Sequence, residues 1–357
     1  MCAGMGRTLK LILTVVAVLA VAGFGLFKLL HSPDWQNFDW HKLIASMAQI
    51  RLSGLIVAIL LMYSTYFMRA CRWYEFLRPT KHANLKGLWV AQVLGFGAVA
   101  VLGRPGDLVR PYMIAKQEGL SVSSQMAVWV LERVYDTLGM ILVIGMSFIL
   151  GGVFDDNTGV PVAPILLKMR RAGLILSGVI VVGSTLLVLY ERRLRAGKPA
   201  LRFLPERLAH KVTAGMANFA EGLACVRSPR AQILGGLYSV GIWVTISAAF
   251  WMVLQSFGPP VDDLNFSASV LVMGFAIAGS VVQAPGVGGG SQVLAILALT
   301  EIFGVPPEVA TSAGIVLWAL AFMAVVPLAV IVALQQGISF GSLRALTQAP
   351  AGEEKAA

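Results

Sequence analysis

Glu132, Arg133 and Asp136 stand inside an apolar run, residues 126–151, that is long enough to cross a bilayer as a helix. Spacings of three and four residues put the two acids and the arginine on one helix face, where they can pair. A charge at the centre of a membrane helix costs about 2.5–3.5 kcal/mol, so three unpaired ones would approach roughly 8–10 kcal/mol. They must therefore face protein or water. Such a group could neutralise a cation elsewhere in the chain between two transport states, or carry a proton. It could equally form a fixed ion-pair lock.

The matching cations lie in the first of two interrupted stretches. Gly103-Arg104-Pro105-Gly106-Asp107 breaks the apolar residues 88–116, and Pro285-Gly286-Val287-Gly288-Gly289-Gly290 breaks residues 266–302. Proline removes a backbone donor and glycine is a poor helix former, so neither stretch reads as one continuous helix. Non-helical backbone survives at membrane depth only where protein or a wet cavity surrounds it. A short helix is expected after each break, near 108–116 and 291–299, with free N–H groups aimed inward. Arg104 and Arg110 would add full charges, and Gly286, Gly288, Gly289 and Gly290 permit a backbone nest. The pattern predicts a site for an anion such as a lipid phosphate, with close helix packing at small residues as the competing reading. Arg69, Arg72 and Trp73 close the second apolar span and read as interfacial anchors or as a headgroup entry.

The elements that must position these residues follow from composition. Of 357 residues 57% are hydrophobic and only 13% charged, and the mean hydropathy is +0.77. A chain this apolar needs the bilayer as solvent, which excludes a cytosolic enzyme, a disordered regulator and a secreted disulfide scaffold. The net charge of +10 would suggest nucleic acid in a soluble protein. In a membrane protein it reflects basic cytoplasmic loops, and no nucleic-acid partner is expected. Three scattered cysteines and four histidines outside the spans offer no disulfide framework or metal-ligand spacing. With no GxxxxGK[ST] motif and no βαβ context for the glycines, neither a cofactor nor an ATP engine is expected.

Six segments read as complete spans: 9–30, 52–68, 126–151, 172–189, 231–257 and 309–334. The first follows Arg7 and Lys10 and contains a cleavage-like Ala20-Val21-Ala22, yet its apolar run continues through Phe27, so an uncleaved span is expected. If both broken stretches are re-entrant, the basic loops before 88 and between 191 and 230 share the cytoplasmic side with both termini. The segments bearing Asp262, Asp263, Glu301 and Glu308 then lie outside without Lys or Arg. Pro105-Gly106 recurs 180 residues on at Pro285-Gly286, as Pro79 does at Pro259. The expected fold is an all-α polytopic membrane protein of about six full helices plus two re-entrant, Gly/Pro-broken hairpins. It forms one membrane domain arranged as an inverted repeat, 1–151 and 172–335, with a tail at 336–357.

Taken in order, Arg69-x-x-Arg72-Trp73, Gly95-Phe96, Arg104-Pro105-Gly106-Asp107-x-x-Arg110, Glu132-Arg133-x-x-Asp136 and Pro285-Gly286-x-Gly288 resemble a known pattern. It is that of the flippase-like, lysylphosphatidylglycerol synthase transmembrane family, the membrane half of MprF-type proteins, over about residues 51–334. The resemblance implies a bacterial inner-membrane protein that moves or helps handle aminoacylated phospholipids, polyprenyl-linked sugars or related lipids. Its implied partners are a membrane phospholipid or polyprenyl-linked lipid and a lipid-modifying enzyme. Asp107 stands where the family more often has Glu, Val99 and Ala100 where it often has Asn, and Gln292 where an acid often follows the glycines. Trp318 falls near the second repeat's counterpart of Arg133. A soluble aminoacyl-transferase domain is not expected in the chain, which ends at Ala357.

The leading functional expectation is a lipid translocator that holds an anionic headgroup between the hairpin tips. Its site residues would be Arg104, Asp107, Arg110, Glu132, Arg133, Asp136, Gly286, Gly288, Gly289, Gly290 and Gln292. The alternatives are a membrane-embedded enzyme transferring an aminoacyl or glycosyl group to lipid, and an accessory subunit for such an enzyme.

Overall fold

The computed structural model describes residues 37–150, 222–281 and 288–337, together with Asn218, Gln283, Ala284 and Gly286. The expected spans at 9–30 and 172–189 and the tail beyond residue 337 lie outside the described residues. What is described is overwhelmingly helical, and its longest helices are apolar.

A short amphipathic helix, α1 (Trp40–Ala48), is capped by the Asp39 carboxylate, which accepts from the His41 N–H. The first long helix, α2, runs Leu52–Leu77. It continues nine residues beyond the expected end at Met68, because Arg69, Arg72 and Glu75 find partners on neighbouring helices and do not need water. Helix α3 (Leu85–Leu102) is started by the Asn84 side chain and stopped by Gly103, whose φ of 70° suits glycine. A 3-10 turn, Arg104–Leu108, leads into α4 (Val109–Glu118).

Helix α3 is itself long and apolar enough to cross a membrane. The chain nonetheless turns at Gly103 and runs back along it. A Cβ on Gly106 would come within 2.5 Å of the Ala98 backbone, and one on Gly95 within 2.8 Å of the Arg110 Cβ. At the far end the Asn84 N–H donates to Glu118 Oε1 at 3.0 Å. Start and finish of this first hairpin therefore lie side by side.

Next comes α5 (Val122–Leu150), which carries three charges, Glu132 and Asp136 buried and Arg133 partly exposed. After a 3-10 turn, Ala224–Arg227, helix α6 (Pro229–Leu254) starts on the Ser228 cap. A second hairpin follows: α7 (Phe266–Gly279), a minimal ribbon of β1 (Gln283–Ala284) and β2 (Gly288–Gly289), then α8 (Gly290–Leu297), which widens into a π-helical turn over Ala298–Ile302. The ribbon is antiparallel, Gln283 opposite Gly289 and Ala284 opposite Gly288. A Cβ on Gly279 would stand 2.0 Å from the Gly290 carbonyl oxygen, so this chain also doubles back at close range. Finally α9 (Pro307–Trp318) joins α10 (Val325–Gln335) through a π-helical turn, Ala319–Met323, making one 29-residue apolar length.

The core forms two layers. One holds Tyr66, Trp73 and Phe76 of α2 with Leu94 and Ile114 of the first hairpin, Val128 and Leu131 of α5, Ala231 of α6, and Val325 and Val332 of α10. The other holds Ala58 and Met62 of α2 with Val143 of α5, Ile242 and Phe250 of α6, Met273 and Leu299 of the second hairpin, and Leu317 of α9. Helices α2, α5 and α6 and the α9–α10 length thus pass through both layers, whereas each hairpin stays in one. Leu52, Ile56 and Leu60, four residues apart on α2, and Ile233 and Leu237 on α6 leave broad apolar faces exposed. Faces of that kind suit hydrocarbon, and the architecture is that of a multi-pass helical membrane protein.

Candidate functional site

Glu132 and Asp136 project from α5 toward α2, which presents Arg69, Arg72 and Trp73 at the three- and four-residue spacing that places them on one face. Arg72 is the hinge of the arrangement. Its Nη2 donates to Glu132 Oε1 at 2.7 Å, and its Nη1 donates to both Asp136 Oδ1 and Ser239 Oγ of α6 at 2.6 Å. Arg69 Nη1 donates to Asp136 Oδ2 at 3.2 Å and lies 3.5 Å from Glu132 Oε1.

The first hairpin contributes Arg110. Its Nη1 donates to Glu132 Oε1 at 3.0 Å and to Gln92 Oε1 at 2.9 Å, while Nη2 sits 3.9 Å from Asp107 Oδ1. The guanidinium also lies over the rings of Phe96 and Trp73, at 4.9 and 5.5 Å from their centroids, and Arg69 lies over the Phe96 ring at 5.0 Å. Gly95 makes this approach possible, since any side chain there would strike Arg110. Trp73 is held in turn by its Nε1 donating to Gln125 Oε1 at 3.1 Å. Arg133 borders the network, its Nη2 3.4 Å from both Glu132 Oε1 and Asp136 Oδ2 with the side chain 40% exposed.

Arg72, Arg110 and Glu132 are each only 1% exposed. Around them four guanidiniums face the carboxylates of Glu132, Asp136 and, at the hairpin tip, Asp107, so the described side chains carry one positive charge in excess. Several polar atoms are also buried without a hydrogen-bond partner among the described residues: Arg69 Nε, Gln92 Nε2, Arg110 Nη2, Arg133 Nε and Glu132 Oε2. Removing two charges from water is expensive, and an ion network rarely outperforms a well-packed apolar core on stability alone. An unbalanced, partly unsatisfied network is a chemical feature.

The structure thus brings together Arg69, Arg72, Trp73, Asp107, Arg110, Glu132, Arg133 and Asp136. It corrects the interfacial-anchor reading of Arg69, Arg72 and Trp73, which are buried because α2 continues past them to Leu77. Arg104 lies on the 3-10 turn at the tip of the first hairpin, and its side chain is outside the described residues. The Gly286–Gly290 run and Gln292 belong to the other layer. No hydrogen bond or ion pair joins them to the arginines among the described residues. Gly288 and Gly289 are paired in the ribbon, and Gln292 Oε1 accepts the Gly289 N–H at 3.0 Å. The Gly289 N–H just ahead of α8 is therefore taken up by the helix's own Gln292. Likewise the Val109 N–H that opens α4 donates to the Gly106 carbonyl. Gln92 and Ser239 were not singled out by sequence. Their only signal is a polar side chain within an apolar helix, which for Ser239 is indistinguishable from the other serines of these helices.

Fold and site together define a multi-pass helical membrane protein with an arginine-rich ion network sealed between its helices. The chain belongs to a family, that of the lysylphosphatidylglycerol synthase TM region, whose model matches residues 10–330. No curated protein matches the sequence. The family ties the protein to membrane lipids.

Proposed function

We propose that the protein is a lipid translocator whose buried arginine network takes the anionic part of a lipid headgroup while the acyl chains stay in the bilayer. The observation that carries this reading is the surplus of buried guanidinium over buried carboxylate, Arg69, Arg72 and Arg110 against Glu132 and Asp136, beside the tip of a hairpin confined to one core layer. An apolar environment opposes an uncompensated charge, so the network favours a negative guest.

The two hairpins are read as re-entrant, entering from opposite faces. Supporting this, each is confined to one core layer, and α2 runs through the layers in the reverse order to α6, as α5 does to α9–α10. That is the relation expected of an inverted repeat, in which rocking one half against the other exposes the site alternately. Arg72 links the halves through Ser239. The layer of the first hairpin is assigned to the cytoplasm of a bacterial inner membrane. Lys81, Lys86, Lys116 and Arg230 cluster at its helix ends, against Asp262, Asp263 and Glu301 at the other. Neither hairpin needs to touch the other for this, which revises the expectation of two converging tips: the charge chemistry belongs to the first hairpin alone.

The direct test is transbilayer movement of fluorescent phospholipid in proteoliposomes containing only this protein. Movement above that in protein-free vesicles is expected. Vesicles that remain impermeable to lipid exchange, with folded protein present, would remove the translocator reading.

A further inference from the structure

We infer that the α9–α10 length is a hinged element that bends at its π-helical turn, and that the Tyr63 hydroxyl on α2 is the latch that keeps the bend closed. This rests on the translocator reading for its purpose, since a hinge here lets one hairpin move against the other, but not for its mechanics. Residue types place the joint. Pro327 has no N–H, so the Met323 carbonyl loses the helical donor four residues on, and the proline ring crowds that carbonyl. Proline is tolerated in the first turn of a helix, and the chain restarts as α10 at Val325 with Pro327 in that turn. The preceding turn, Ala319–Met323, widens: the Ala324 N–H reaches back five residues to the Ala319 carbonyl, at 2.8 Å. Prolines and π turns are where helices kink. Helix α5 also passes through both layers, yet it contains no proline and runs unbroken from Val122 to Leu150. Crossing the layers does not itself demand a joint.

Packing ties the two sides of the joint to different hairpins. On α9, Gly314 lies so close to α8 that a Cβ would stand 2.6 Å from Ile296 Cγ1, and Leu317 belongs to the layer of the second hairpin. On α10, the Ala329 Cβ would stand 2.5 Å from a Cβ on Gly97 of the first hairpin, and Val325 and Val332 belong to that hairpin's layer. A stiff helix would lock the hairpins together, whereas a joint lets each carry its own half of the length. A clasp from α2 holds the joint. Tyr63 follows Met62 of one layer and precedes Tyr66 of the other, and its Oη donates to the Ala324 carbonyl at 2.7 Å. The bond falls on the residue that ends the π turn, so a bend that swings α10 away from α2 breaks it.

The test is pulsed electron–electron double resonance on the full chain in nanodiscs, with Cys2 and Cys71 replaced by serine. Spin labels go on Glu301→Cys and Leu334→Cys, exposed positions on either side of the joint. Wild type is expected to show one dominant distance. Tyr63→Phe deletes only the hydroxyl, and a second distance should gain about three-fold in population over wild type, the shift worth one interhelical hydrogen bond in a membrane protein. Pro327→Ala restores the missing N–H and should abolish the second distance, alone and combined with Tyr63→Phe. Distances unmoved by Tyr63→Phe, even with a lower thermal midpoint, make the hydroxyl a packing group and overturn the inference. A second distance that persists in Pro327→Ala overturns it as well. Shifting distances without lipid movement in proteoliposomes would sink the translocator reading alone, and lipid movement with fixed distances in Tyr63→Phe would sink this one alone.

Discussion

Glu132 Oε1 lies 2.7 Å from Arg72 Nη2 and 3.0 Å from Arg110 Nη1, so one carboxylate oxygen joins the long helix α2 to the first hairpin. It also lies within 3.5 Å of Arg69 and Arg133. Opening the network to a headgroup, as the translocator reading requires, would loosen these contacts.

Glu132→Gln is therefore expected to act on both stability and transport. Removing one member of a buried pair leaves the other charge uncompensated, typically at about 3–5 kcal/mol. A fall in thermal midpoint measured in detergent checks this. The double variant Glu132→Gln/Arg110→Gln should recover part of the loss, since it deletes the partner as well. Simple additivity of the two single losses would contradict a direct pair.

Gly106→Ala should pry the first hairpin open. The new Cβ would meet the Ala98 backbone at 2.5 Å, which cannot move aside as a flexible side chain could. Overpacking of this kind costs about 1–3 kcal/mol. Gly145→Ala in α5 has no atom within 4 Å of the added carbon and should be neutral or slightly stabilising. Comparing the thermal midpoints of the two variants measures the tightness of the hairpin.

Cysteine labelling will report topology cleanly, because Cys225 should stay silent. Burial in the 3-10 turn ahead of α6 pushes its thiol up to about 12, so the reactive thiolate is scarce at neutral pH. The sign is that of an acid kept neutral by folding. Its contribution to stability is complete below the ordinary thiol range and fades as pH climbs toward 12. With Cys2 and Cys71 replaced by serine, Asp263→Cys should react with impermeant maleimide on intact cells and Lys86→Cys only after permeabilisation. The opposite pattern would reverse the orientation assigned to the two layers.

Much of this arrangement is legible in the chain itself, and the exceptions have physical causes. Glu132, Arg133 and Asp136 announce themselves because three charges in an apolar run demand partners. Gly103 and Gly106 likewise mark a turn that only glycine tolerates at φ 70° or against bare backbone. Arg69 and Arg72 mislead because a basic pair at the end of an apolar run looks the same whether the helix stops or continues into protein. Only the acids on α5, more than 55 residues away in sequence, decide it. The glycine run at Gly286–Gly290 suggests a phosphate nest, but Gln292 takes the Gly289 N–H, and that competition is invisible in composition. Gln92 acquires meaning only through Arg110, which the hairpin brings back to it.

The most direct measurement of the central claim is the rate of fluorescent phosphatidylglycerol movement in proteoliposomes for wild type, Arg110→Gln and Arg230→Gln. Arg230 pairs with Glu75 at the helix ends, outside the network, and serves as a matched loss of one positive charge. With equal amounts of folded protein, the account predicts a drop of about ten-fold or more for Arg110→Gln and little change for Arg230→Gln. Equal rates for all three would contradict the assignment of the buried arginines to the headgroup.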